Sequence, residues 1–202
     1  MKVSLIGCGT LGSMTGLLLS KEPVKVTLYD DDLIERRNLY SQMFPWGSEE
    51  QPKAPVLAEV MRAFSPMPGR KVIAMQSRPD KRRLSKASGI IVSAVDSLES
   101  RRYIWETLRK SRKWDIYIDQ RMGRDSGILF TLTPDQEGLT FERYESTLVE
   151  SGKIKALCNE GTAYLAALTA GAAVAQLMNY LKYRRVCGAR IISVDPVAVE
   201  VR

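Results

Sequence analysis

The chain opens on an alternating apolar run, Lys2 to Ile6, which reads as a buried strand. Gly7 to Gly12 reads as a turn, Ser13 to Ser20 as a helix, and Val24 to Tyr29 as a second strand. A polar connector with Pro45, Trp46 and Gly47 leads to a helix from about Ala54 to Phe64 and a third strand at Lys71 to Met75. Gly89 to Ala94 is a continuous apolar strand, Ser97 to Lys110 a helix, and Asp115 to Asp119 a further strand. Strands alternating with helices predict an α/β fold: a Rossmann-like, mainly parallel sheet with helices on both faces.

Beyond Gly127 the pattern changes. A short strand at Ile128 to Leu132, a polar segment holding Tyr144 and Leu148, an apolar helix from Thr162 to Tyr183, and short strands at Arg190 to Val194 and Ala198 to Val201 predict a C-terminal antiparallel extension. The 202 residues are expected to form one nucleotide-binding domain, with the core in 1–126 and its C-terminal part in 127–202. Thr162 to Leu181 is about long enough to span a bilayer, but alanine dominates it and Gln176 and Asn179 interrupt it, so a buried core helix is expected and no membrane association. Ala167, Gly171 and Ala175, four residues apart, form a small-residue ridge that should let the sheet or a second subunit approach closely.

Composition narrows the chemistry. The chain runs straight into its first strand without a basic region and cleavage site, which predicts a cytoplasmic protein. Cys8, Cys158 and Cys187 are widely spaced, there is no C-x-x-C pair and no histidine, so neither a disulfide framework nor zinc is expected, and mechanisms needing an imidazole are excluded. The net charge of +7 fits solubility, anionic substrates, acidic partners or nucleic acid. Part of it is local, in RPDKRRLSK (Arg78 to Lys86) and RRYIWETLRKSRK (Arg101 to Lys113). The second stretch reads as a helix with Tyr103, Ile104, Trp105 and Leu108 on its apolar face.

Between the first strand and first helix stands G-x-G-x-x-G at Gly7, Gly9 and Gly12, with Thr10 and Leu11 inside the turn. The first glycine permits the tight turn, the second lets a phosphate approach the backbone, and the third lets helix and strand pack closely. The helix N-terminus attracts the anion. Asp30 ends the second strand 18 residues after Gly12, where a carboxylate accepts hydrogen bonds from ribose hydroxyls and repels a 2′-phosphate. Asp31 and Asp32 fit either a part of that site or a solvated acidic turn.

The stretch YDDDLIERRNLYSQ, with Asp30, Asp32, Asn38, Leu39 and Gln42 in register, resembles the ThiF, MoeB and HesA superfamily of ubiquitin-activating-enzyme-like adenylyltransferases. Lys53 in QPKA, Asp96 in SAVDSLESR with Arg101 after it, and Cys158 before the apolar helix follow in the same order, so the resemblance covers essentially the whole chain. It implies that ATP and Mg²⁺ activate the C-terminal carboxylate of a small ubiquitin-like or sulfur-carrier protein as an acyl adenylate, with release of pyrophosphate. An ionised carboxylate needs no general base, so a chain without histidine suffices. By this resemblance Asp96 would hold Mg²⁺, directly or through water, Lys53 would neutralise phosphate charge, and Asn38 and Gln42 would hydrogen-bond around ATP. Cys158 is either a thioester or persulfide nucleophile or a packed cysteine. A homodimer is also implied.

The family's N-L-x-R-Q reads Asn38-Leu39-Tyr40-Ser41-Gln42 here, so Ser41 stands where a phosphate-binding arginine is usual. Arg36, Arg37, Arg121 or a partner subunit are the candidate replacements. Three alternatives to carrier activation remain: a catalytically degenerate ATP-binding partner subunit, motivated by Ser41; a tRNA-modifying relative, motivated by the positive charge; and, at the level of fold alone, a nicotinamide-dependent oxidoreductase.

Overall fold

The computed structural model describes residues 1–69, 71–136, 139–149, 162–194 and 197–201. Its strands form one eight-stranded sheet in the order β3-β2-β1-β4-β5-β6-β7-β8. Strands β1 (Lys2–Ile6), β2 (Lys25–Tyr29), β3 (Val72–Met75), β4 (Gly89–Ser93) and β5 (Trp114–Met122) pair in parallel. The antiparallel strands β6 (Ser126–Leu132), β7 (Ala189–Val194) and β8 (Val197–Val201) extend the sheet beyond β5. This is the expected mainly parallel α/β sheet with its antiparallel C-terminal extension.

Helices α1 (Thr10–Leu19), α2 (Lys53–Phe64) and α6 (Ala163–Tyr183) cover one face, over a core that includes Leu5, Leu28, Leu57, Ile116 and Leu177. Helices α3 (Lys81–Ser85), α4 (Leu98–Ser111) and α5 (Leu139–Ser146) cover the other. That second core is aromatic: the Trp105 ring stacks on Tyr117 at 5.9 Å and meets Phe141 edge-on at 4.9 Å. Full burial of such rings contributes ~2–3 kcal/mol each.

Several elements differ from the sequence expectation, each for a local reason. Helix α1 begins at Thr10, inside the glycine motif, three residues before Ser13. Strand β5 continues past Asp119 to Met122 because β6 pairs with its end, Gln120 opposite Leu129 and Met122 opposite Gly127. Helix α3 occupies part of the basic stretch, and α5 the segment read as polar. In α4, Ile104, Trp105 and Leu108 are buried as expected, but Tyr103 is exposed.

Helix α6 buries Leu165, Ala166, Thr169, Ala170, Ala173 and Leu177 against α1 and the strands β5 to β7. The Ala167, Gly171 and Ala175 ridge lies off that face: Ala175 is exposed, and a Cβ on Gly171 would meet nothing within 4 Å. Close approach between helix and sheet is instead made by Gly127 of β6, where a Cβ would fall 2.0 Å from Thr169 Oγ1. Among the described residues no helix is long and apolar enough to cross a membrane.

Candidate active site

In an open parallel sheet, ligands bind outside the carboxyl ends of the strands, where the strand order reverses. Here the reversal lies between β1 and β4. A cleft of about 670 Å³ opens there, within the size range of small-molecule sites. It is lined by residues that follow each parallel strand: Gly7 and Gly9 after β1, Asp30 to Asp32 after β2, Arg78 to Asp80 after β3, and Ala94 to Asp96 after β4. Met122, at the end of β5, completes the series.

The three motif glycines differ in what a side chain would meet. Gly7 has φ +92°, a left-handed conformation that other residues adopt at a strain cost, and a Cβ there would lie 2.7 Å from the Ala94 carbonyl oxygen. A Cβ on Gly12 would fall 1.9 Å from the Gly7 carbonyl oxygen, so this glycine permits helix-on-strand packing and does not line the cleft. Gly9 is different: no protein atom lies within 4 Å of its would-be Cβ, yet it lines the cleft. A bare backbone facing open space at the start of α1, with Thr10 and Leu11 beside it, is what close approach of a phosphate requires.

Asp30 is locked in place. Its Oδ2 accepts from Cys8 N–H at 2.6 Å and its Oδ1 from Asp32 N–H at 2.9 Å, leaving a second lone pair on each oxygen for a ligand donor. Burial pushes the Asp30 carboxyl above the ordinary value of 3.8, against the lowering effect of those two hydrogen bonds and of Lys53. If Asp30 binds a ribose, as its place at the end of β2 predicts, nucleotide binding is expected to weaken on acidification from a higher pH than an ordinary aspartate would give, because the protonated acid can no longer accept through both oxygens. Calorimetric titrations across pH 4 to 7 check this, and the dependence should flatten in Asp30→Asn.

Lys53 begins α2 and is only 7% exposed. Its Nζ donates to Asp32 Oδ2 at 2.8 Å, and its backbone N–H donates to the Asp32 carbonyl at 3.0 Å, which ties α2 to the loop after β2. Asn38 sits in the 3-10 helix Arg36–Tyr40. Its Oδ1 accepts from Glu35 N–H at 2.9 Å, which orients the amide and leaves its Nδ2 donors and a second Oδ1 lone pair for a ligand. Gln42 is buried, lines the cleft, and has no hydrogen-bond partner for Oε1 among the described residues. Such a group is costly to leave unmatched unless a ligand or solvent satisfies it.

Asp96 lies across the cleft from these groups, after β4 and just before Ser97, whose hydroxyl caps α4 by accepting from Ser100 N–H at 3.1 Å. The side chains of Asp30, Asp31 and Asp32 form an acidic group with oxygens within 4.8 Å of one another, and Asp96 stands apart from it.

The three candidate replacements within the chain for the missing arginine separate cleanly. Arg37 lines the cleft, held by Glu35 through Nε at 2.6 Å and Nη2 at 3.1 Å in an exposed pair. Arg36 instead stacks over Trp46. Arg121 is not in the cleft: side chains alternate along β5, so Gln120 and Met122 face α1 while Asp119 and Arg121 face the α4–α5 side. There Arg121 Nε binds Asp119 at 2.8 Å and its guanidinium lies over the Phe130 and Tyr144 rings. Ser41 Oγ points to Thr10 Oγ1 at 3.3 Å. Cys158 lies outside the described residues.

Sequence motifs missed Arg78, Tyr29 and Tyr103, which also line the cleft. The available signal was position: Tyr29 ends β2, Arg78 follows β3 by three residues, and Tyr103 lies in the second turn of α4.

The ThiF family model matches residues 1–193. The chain belongs to the ThiF family. No curated protein matches it. Among solved structures it is similar to E. coli MccB crystallised with AMPCPP and MccA, with a TM-score of 0.79 and 17% identity over 100% of this chain and 63% of MccB. A second MccB structure, described as the microcin C7 biosynthetic enzyme with N-formylated MccA, gives 0.76 and 16% over 100% and 64%. PaaA gives 0.76 and 17% over 100% and 63%. The chain thus spans less than two thirds of the length of these neighbours, and at such identity the likeness concerns the fold.

Proposed function

We propose that this ThiF-family chain is an ATP-dependent adenylyltransferase that activates the terminal carboxylate of a small protein or peptide, of the ubiquitin-like or sulfur-carrier kind. The observation that carries the proposal is the cleft itself, in which Gly9, Asp30, Gln42, Lys53 and Asp96 converge from five separate places in the chain. Support from fold comes from MccB, which has been crystallised with ATP and with MccA.

The glycine turn and the start of α1 would bind the phosphates, and Asp30 the ribose. Tyr29, Val95, Tyr103 and Ile104 offer a more apolar end for the base. The carboxylate oxygen attacks the α-phosphorus, the bond from that phosphorus to the bridging oxygen breaks, and pyrophosphate leaves with the electron pair. The product is the acyl adenylate. Two anions must meet, so catalysis consists of orientation and of charge stabilisation by Lys53 and the N–H groups of the turn. The position of Asp96 after β4, the strand next to the glycine turn, suits it to hold Mg²⁺, which would shield the phosphates during attack. A homodimer belongs to the same proposal, with the outer face of α6 as its contact.

In this reading Arg37, which lines the cleft, supplies the charge that Ser41 lacks. A charge-assisted hydrogen bond of ~1.5–3 kcal/mol corresponds to roughly 10–100-fold in affinity. Arg37→Gln is expected to weaken ATP binding by that factor and leave AMP binding unchanged, and adding Ser41→Arg should restore ATP binding. Equal loss of AMP and ATP would count against the role.

The adenylation proposal is tested by ATP–pyrophosphate exchange with candidate carrier proteins and peptides bearing free C-termini. Exchange that requires the free carboxylate is the expected result. Tight ATP binding with no exchange for any candidate would leave the chain a binding subunit.

A further inference from the structure

All of the net charge of this chain lies in one stretch. Residues 78–113 hold 11 of the 30 Lys and Arg but 4 of the 23 Asp and Glu, and the rest of the chain carries 19 of each. The stretch folds as α3, β4 and α4, and the two helices pack side by side on one face of the sheet. Ten of its eleven cations are solvent-exposed. The exception is Arg101, buried against Asp119.

This face begins at the mouth of the nucleotide cleft. Helix α3 starts directly after Asp80 and α4 two residues after Asp96, and both acids line the cleft. Arg78 and Tyr103 belong to the cleft wall and to the basic face at once. Two of the cations meet carboxylates from other segments, Arg78 with Asp31 at 3.0 Å and Arg109 with Glu145 at 2.6 Å, in pairs open to solvent that add little stability. Like charges gathered on one face repel each other and weaken the compact state, while the field they create attracts an anionic surface. Solubility alone would be served by the same charge spread over the molecule.

We infer that the α3–α4 face docks an acidic protein surface, carried by the molecule whose terminal carboxylate enters the cleft; this rests on the adenylation reading. A protein fits better than a nucleic acid. Among the described residues of the stretch Tyr103 is the one exposed aromatic, and Lys81 lies over its ring at 6.0 Å, so there is no platform on which bases stack. Proximity matters as well, because a protein seated on this face has its tail beside the cleft.

The test uses a fluorescein-labelled polyglutamate peptide with a free carboxylate, unfractionated tRNA, and a variant carrying Arg82→Gln, Arg83→Gln, Lys86→Gln, Lys110→Gln and Lys113→Gln. Fluorescence anisotropy is read between 50 and 300 mM salt, with MgATP binding and thermal unfolding of the variant as controls. The peptide is expected to bind the wild type with an affinity that falls steeply with salt, and to bind the variant at least tenfold more weakly while the controls hold. No binding at 50 mM salt, or equal binding to the variant, overturns the inference. So does tRNA that stays on the wild type at 300 mM salt after the peptide has dissociated and is released by the substitutions, since the face would then be a nucleic-acid site. Failure of the wild type to bind ATP would remove the adenylation reading, and would be seen separately from the peptide result.

Discussion

Lys53→Ala is expected to lower ATP–pyrophosphate exchange by ~10²–10³-fold, the usual loss when one preorganised charge-stabilising group is removed from a site of this kind. The structure explains why the loss should fall on chemistry and not on folding. Lys53 Nζ meets Asp32, but Asp32 is largely exposed and hydrated on its outer side, so this ion pair contributes at most about 1 kcal/mol to stability. The role of the pair is to aim the ammonium group. With ATP bound, Lys53 has a stronger anion within its reach, and Asp32 is already solvated enough to release it. Lys53→Arg should recover part of the activity, because charge is kept while the compact ammonium geometry is lost. Thermal unfolding of Lys53→Ala within a few degrees of wild type, together with the loss of exchange, is the outcome that assigns the residue to the reaction.

Asp119→Ala is expected to cost ~3–5 kcal/mol of folding stability, enough to unfold a large share of an ordinary domain. Asp119 is 0% exposed. Its carboxylate accepts from Arg101 Nη1, from Arg121 Nε at 2.8 Å, from Ser93 Oγ at 2.9 Å and from Tyr144 Oη at 3.1 Å. Burial beside this carboxylate pushes the Tyr117 and Tyr144 phenols up, so both stay protonated and Tyr144 remains a donor. Alanine would leave the buried Arg101 and the partly buried Arg121 guanidinium groups without their shared anion. The effect reaches the cleft, since Arg101 also donates to the Val95 carbonyl beside Asp96 and to the Gln120 carbonyl at 2.9 Å. Denaturant unfolding measures the loss. A cost below about 1 kcal/mol would show that the network is dispensable to the fold.

The legible part of the molecule was the part where local rules act alone. Alternation in β1 and β2, glycine punctuation between them, and an aspartate at the end of β2 point to one arrangement, and Asp30, Asn38, Gln42, Lys53 and Asp96 do meet in one cleft. Arg121 illustrates what a sequence withholds. It follows a strand, as a binding residue should, but which side of β5 it occupies depends on register with β4 and β6, and a shift of one residue exchanges the two faces. Helix α3 buries only Leu84, too little for any periodicity to register. Helix α5 was readable in principle, since Phe141, Tyr144 and Leu148 fall at three- and four-residue spacing and are buried together. The segregation of charge onto α3 and α4 is visible in composition, whereas its position at the rim of the cleft required the fold.

Isothermal titration of the chain with MgATP and, in parallel, with NAD decides whether this cleft binds ATP. Saturable heat is expected with MgATP, reduced at least tenfold in affinity by Asp30→Ala, and none with NAD. Binding of NAD without binding of MgATP would contradict it and return the glycine turn to a dinucleotide-dependent oxidoreductase.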